Sequence, residues 1–437
     1  MYKSKWNILD KIKPMMSREE LKENMKVLVD YDESIRNESQ PVRLMELNNI
    51  YSFYLPSDMS VEIYTKLYLA MIRSMQKKES KLAVKQRNSN DIKEYKYSES
   101  SFNGIIGGSD SFSILGNSGI GKSSAIVRAI DMFDGEKVIE LENPYCKIIP
   151  VINVQCPFDC SSKSMLLAII KKIDDKIGTD YYEMLIKSRA TTNTMIVSAS
   201  KILLNHVALL IIDEIQNLIK HKAGIQLVSM LTQLLNESGI SICFVGTHEV
   251  EPFFESVDYL ARRTLGLIYN RCEYNDYFRE FCTMLWKYQY VKNKTDISDT
   301  IIHWLYEHSA GTLSHVVFLI HTAQEISILD CRDILDLESL ESAYQKMRML
   351  HTHIQPNIIL KKTGKKKKIN TSDTVISTSA KKDDDNKISD VFIEEHSANR
   401  DIEQEWSFVE LAEKSKKEKI DIIKLLEGKV SITEILV

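Results

Sequence analysis

No apolar run in these 437 residues approaches the roughly 20 that a membrane-spanning helix needs; the longest, HVALLIIDEI, is broken by Asp213 and Glu214. The opening stretch MYKSKWNILD lacks the apolar core of a secretory signal. Seven cysteines, an odd number scattered from Cys146 to Cys331, make no disulfide framework. A reducing cytoplasm without a membrane partner is the expected setting. Cys156 and Cys160 in CPFDC find no second pair or nearby histidine to complete four ligands, so small buried thiols are expected there. His303, His308, His315 and His321 share one helical region but form no H-E-x-x-H spacing, which points to surface or satisfied interior histidines. No internal repeat is visible. The net charge of −4 hides lysines concentrated near both ends and around residue 365, so bulk charge neither supports nor excludes a nucleic-acid partner.

What is present is ample apolar content for large cores, 43% of the chain, and length for two or three domains. Residues 1–100 read as a helical segment: Ser17 and Glu20 have capping-box spacing, and DMSVEIYTKLYLAMIRSMQKK repeats apolar residues at helical intervals. Over residues 101–272 short apolar runs (SFSILG, KIIPVINVQC, ALLIIDEI, SICFVGT, TLGLIYN) alternate with longer helical patterns, which predicts a five-stranded parallel sheet covered by helices. Residues 273–354 are helical throughout, with Trp286, Tyr288 and Tyr290 expected to pack a small helical lid. The stretch 355–398, containing KKTGKKKK, is too charged and Ser/Thr-rich to bury a core and reads as a disordered linker. Residues 399–437 regain helical spacing and suit a partner-docking segment.

One motif carries chemistry. Gly116, Asn117, Ser118, Gly119, Ile120, Gly121, Lys122, Ser123 and Ser124 fit G-x-x-x-x-G-K-[ST] between a predicted strand and a predicted helix, the setting a phosphate-binding loop requires. Its amides can turn toward phosphate oxygens, Lys122 can reach the β- and γ-phosphates, and Ser123 can ligate magnesium. The cofactors implied are ATP and Mg2+. Asp213 and Glu214 end the apolar run ALLIIDEI; alone such a pair often caps a helix, but after a phosphate loop Asp213 is expected to hold magnesium and Glu214 to polarise the attacking water. Thr247, ending SICFVGT, is placed either to orient that water or to touch the γ-phosphate. Arg262 and Arg263 are either dipole partners at a helix end or a finger reaching a neighbouring subunit's γ-phosphate.

Taken in order, GNSGIGKSS, IIDEIQNL, FVGT, ARRTLGL, YFREFCTMLWKYQYV and SAGTLSHVVFLIHTAQEISI resemble the AAA+ ATPases, and within them the TnsC/TniB family of ATP-dependent transposition regulators. YLPSDMSVEIYTKLYLAMIRSM resembles that family's segment before the phosphate loop, so the likeness covers about residues 50–330. It implies an α/β AAA+ core with a C-terminal helical lid, and ATP-driven assembly as a ring or helical filament on duplex target DNA. It also implies partners, namely a target-selection protein and a transposase, and a bacterial, nucleoid-associated location when DNA-bound. Lys163 and Thr179 are the DNA contacts it implies, with little sequence preference. One departure stands out: GTLS puts Ser314 where many AAA+ lids carry a sensor arginine. A DNA-independent signalling or defence ATPase, and a helicase or clamp loader, share the same core motifs and are the alternatives.

Overall fold

The computed structural model describes residues 11–78, 80, 83–84, 111–142, 145–255 and 266–350. The chain divides into two compact units, Met1–Lys361 and Lys362–Val437. The second unit lies outside the described residues, and with it most of the expected linker and the whole docking segment.

Fourteen helices are labelled in chain order: α1 (Arg18–Met25), α2 (Gln40–Leu47), α3 (Asp58–Lys78), α4 (Lys122–Met132), α5 (Ser162–Ile177), α6 (Tyr181–Lys187), α7 (Thr192–His206), α8 (Asn217–Lys220), α9 (Gly224–Ser238), α10 (Glu251–Glu255), α11 (Asp276–Leu285), α12 (Asp299–Ser309), α13 (Leu313–Leu329) and α14 (Leu337–Leu350). The strands are β1 (Phe112–Gly116), β2 (Ile139–Glu142), β3 (Tyr145–Gln155), β4 (Val207–Asp213), β5 (Ser241–Gly246) and β6 (Leu267–Tyr269), in the spatial order β2-β3-β4-β5-β1-β6. The five expected strands are all present and mutually parallel where they pair. The expected count of five is corrected to six: β2 pairs antiparallel with β3 at the sheet edge. Its four residues, IELE, alternate apolar and acidic, a pattern too short to stand out from the loop around it.

Alternation along the central strands explains the layering. Leu209, Ile211, Cys243 and Val245 face one cluster with α3 and α4, while Leu210, Ile212, Ile242 and Phe244 face another with α5, α7 and α9. Both faces are covered, so β4 reads as continuous VALLII rather than alternating. Side-chain caps fix where helices begin: Ser161 accepts from the Ser164 amide, and Asn275 from the Phe278 amide at 3.0 Å.

The N-terminal segment does not form a layer of its own. Leu21, Met25, Ile63, Leu67 and Met71, from α1 and α3, join the sheet core. Between them, Val29, Leu47, Ile50, Phe53 and Leu55 join the core of the helical lid, α11–α14. The chain crosses between the two cores where Val27 and Tyr54 exchange backbone hydrogen bonds of 2.8 and 3.0 Å. Trp286, Tyr288 and Tyr290 do pack the lid, with Trp286 Nε1 donating to the Thr295 carbonyl at 3.0 Å. Among the described residues no helix is long and apolar enough to cross a membrane, and no three His, Cys, Asp or Glu side chains gather as a metal site would require. Cys156 and Cys160 are buried free thiols.

Candidate active site

The carboxyl ends of β1 and β4 flank that of β5 in the sheet, which brings three separate sequence motifs to one edge. A cavity of about 400 Å³ opens there, lined by Ser118–Ser124, Asp213, Glu214, Gln216, Gly246 and Thr247. The phosphate loop leaves β1 at Gly116 and returns through Gly119 (φ +77°) and Gly121 (φ +97°) into α4. Side chains disfavour such angles, and at Gly119 a Cβ would also stand 2.2 Å from Ser314 Oγ.

Lys122 is buried, and its ammonium donates to the carbonyls of Gly116 and Asn117, both at 2.8 Å. Burial holds it below the usual lysine range, with Asp213 and Glu214 opposing that shift. Ser123 Oγ donates to Asp213 Oδ2 at 3.1 Å, and the other oxygen of Asp213 accepts from the Glu214 amide at 2.8 Å. A hydroxyl beside a carboxylate is the hard oxygen set that magnesium takes. Glu214 is exposed in a left-handed conformation, φ +58°, which costs a non-glycine residue about 1–2 kcal/mol. Thr247 Oγ1 and Gln216 Oε1 line the same cavity, buried and without a hydrogen-bond partner among the described residues. A polyphosphate with its cation and water would supply what these atoms lack, so the residues fit magnesium ATP.

The other end of the cavity is apolar. Tyr51, Phe53, Tyr54, Tyr277, Phe281, Leu313 and Val317 line it, drawn from the N-terminal segment and the lid. The Tyr277 hydroxyl donates to the Leu55 carbonyl at 2.8 Å, and burial raises the pKa of both Tyr54 and Tyr277, so this end is lined by neutral aromatic and aliphatic side chains of the kind a nucleotide base packs against.

Ten of the sequence-selected residues, Ser118 to Ser124 with Asp213, Glu214 and Thr247, thus line one cavity. Arg262 and Arg263 lie outside the described residues. Lys163 is exposed at the first turn of α5. Thr179 is half-buried, and its hydroxyl donates to Asp174 at 2.6 Å; that carboxylate also accepts the Tyr181 and Tyr182 amides at the start of α6. Sequence reasoning missed Gln216, although it sits within the quoted IIDEIQNL. It also missed the aromatic base end, where YSFYLPS gives no motif and only chain crossing brings it to the loop.

Residues 107–254 match the AAA domain family. No curated protein matches the sequence. Among solved structures, the chain is similar to the Aeropyrum pernix ORC1 protein in complex with DNA at 15% identity, over 60% of this chain and 64% of that one, with a TM-score of 0.40. It thus spans just under two thirds of that protein. Domain III of the Thermotoga maritima replication initiation protein DnaA matches at 15% identity over 54% of this chain and 84% of that one, TM-score 0.32. Drosophila ORC bound to DNA matches at 12% identity over 61% and 66%, TM-score 0.32. The chain carries an AAA domain at residues 107–254, and its fold is that of the AAA+ P-loop NTPases, with six strands in the sheet.

Proposed function

We propose that this chain binds and hydrolyses magnesium ATP and uses the nucleotide to control its own assembly on duplex target DNA, where it links a target-selection protein to a transposase. The observation that carries the nucleotide half is the convergence of Lys122, Ser123, Asp213, Glu214 and Thr247 on one cavity edge. The ordered resemblance to the TnsC/TniB regulators supports the transposition half.

In this reading the loop amides from Gly116 to Ser124 wrap the phosphates, and Lys122 exchanges the Gly116 and Asn117 carbonyls for β- and γ-phosphate oxygens. Ser123 and Asp213 hold magnesium, which neutralises phosphate charge when bound. Thr247 orients a water against the γ-phosphorus. Glu214 takes that water's proton as its oxygen bonds to phosphorus; the bond to the bridging oxygen breaks, and ADP leaves with the electron pair, giving ADP and inorganic phosphate. Arg262 or Arg263 of a neighbouring copy completes the site. Lys163 meets DNA phosphates and gives a salt-dependent affinity, whereas a phosphate contact by Thr179 competes with Asp174. Residues 399–437 dock the transposase, and a deletion that leaves transposase binding intact removes that assignment.

The test is electron microscopy with duplex DNA in ATP, a nonhydrolysable analogue and ADP. Rings or filaments on DNA that need ATP or its analogue are expected. Assembly and hydrolysis that respond to ATP but not to duplex DNA rule the reading out and favour a DNA-independent switch; ATP-driven strand separation favours a helicase. Glu214→Gln keeps assembly and blocks turnover, while Lys122→Ala loses nucleotide binding.

A further inference from the structure

Gln216 stands two residues beyond Glu214, on the turn that leads into α8, and its side-chain amide is used at both ends. Its Nε2 donates to Glu214 Oε2, holding the carboxylate. Its Oε1 is buried, without a hydrogen-bond partner among the described residues, on a residue that lines the cavity. Gly246, the last residue of β5, lies against it: a Cβ there would stand 2.8 Å from Gln216 Oε1 and 2.7 Å from Ile215 Cγ2. The turn itself is pinned, because the Ile215 amide donates to the Val245 carbonyl at 3.0 Å. A glycine at the strand end thus makes the seat in which Gln216 lies, and Gln216 in turn holds a glutamate whose backbone is left-handed and whose side chain is exposed. An exposed glutamate side chain otherwise samples many rotamers, and a general base must be fixed within hydrogen-bond reach of the proton it takes.

We propose that Gln216 is a positioning residue for hydrolysis: it holds the Glu214 carboxylate toward the cavity. The inference rests on the ATPase reading above. It assigns to the third residue after Asp213 the work of aiming the base, and it gives Gly246 a reason that no strand propensity supplies.

The test compares the full chain with Gln216→Met, which keeps side-chain length and packing on Gly246 but removes the donor. ATP turnover and the affinity for a fluorescent ATP analogue are measured for both, with thermal unfolding as a folding control. The expected result is a fall in kcat of about tenfold or more, the loss of one hydrogen bond to a charged group, with KM, analogue affinity and unfolding midpoint unchanged. A kcat equal to or above that of the parent overturns the proposal. A parent chain that binds no analogue and turns over no ATP, when Lys122→Ala behaves identically, overturns the ATPase reading and this inference together. A glutamine role in packing alone is identified by a lowered unfolding midpoint with kcat preserved.

Discussion

The amide of Ser314, at the start of lid helix α13, donates a 3.1 Å hydrogen bond to the carbonyl of Gly119 in the phosphate loop. The lid therefore meets the loop by its backbone at the position where many AAA+ lids present an arginine, and the two surfaces touch because Gly119 has no side chain. This contact ties the loop to α13, and α13 shares its core with Val29, Phe53 and Leu55 of the N-terminal segment.

Gly119→Ala should therefore separate the lid from the loop. The new methyl group meets Ser314 Oγ at 2.2 Å and Thr312 Cγ2 at 2.9 Å, and φ of +77° adds roughly 1–2 kcal/mol of backbone strain. Nucleotide affinity is expected to fall at least tenfold while the sheet core stays folded, as measured by analogue titration and far-UV circular dichroism. Wild-type affinity would show that the lid contact is dispensable.

Nucleotide affinity should weaken as pH rises through the alkaline range that ends at the ordinary lysine value. Burial depresses the Lys122 pKa in the free protein. A lysine depressed in this way penalises folding at pH below its folded value, and the penalty fades as pH rises through the interval up to its unfolded value. Phosphate charge brought against the ammonium reverses the depression, so binding takes up protons over that alkaline window. Calorimetry in buffers of different ionisation enthalpy measures the uptake; binding without proton uptake anywhere in the window contradicts the assignment.

Removing the buried cation that joins the N-terminal segment to the lid should be costly. Arg43, 2% exposed, donates to the Tyr290 carbonyl at 3.0 Å and to Asp333, while Lys292 is 3.8 Å from the same carboxylate. Arg43→Ala leaves a largely buried carboxylate facing one distant ammonium, which costs about 3 kcal/mol. Urea denaturation reads this directly, and a loss below about 1 kcal/mol would mean that the pair contributes little to holding the segment on the lid.

Thiol chemistry should single out one cysteine. Cys331 is exposed, whereas burial pushes the Cys156 thiol up to about 12 and Cys272 up to about 11, and Cys146, Cys160, Cys243 and Cys282 are buried. Thiolate is the reactive form, so native alkylation near neutral pH should modify Cys331 rapidly and the others only on unfolding. Cys331→Ser is expected to remove the fast phase seen by mass spectrometry; rapid labelling of Cys156 would mean that its loop opens in solution.

Local chemistry made part of this protein readable from residues alone. The phosphate loop is legible because glycines, lysine and serine must stand at fixed spacing to wrap a phosphate, and ALLIIDEI because a central strand covered on both faces has to be apolar until its last residues meet the ligand edge. The short edge strand β2 escaped because four alternating residues carry too little pattern, and Gln216 because its partner is a rotamer choice. What tertiary structure alone decided is the closing of the site. The sheet order sets β5 between β1 and β4, so Thr247 and Gly246 fall between two motifs about 90 residues apart. The N-terminal segment crosses from one core to the other and lays Tyr51 and Tyr54 over the cavity. Spacing along a chain fixes what neighbours in one turn can do; which distant turns meet depends on how two apolar cores divide the helices between them, and no single segment encodes that division.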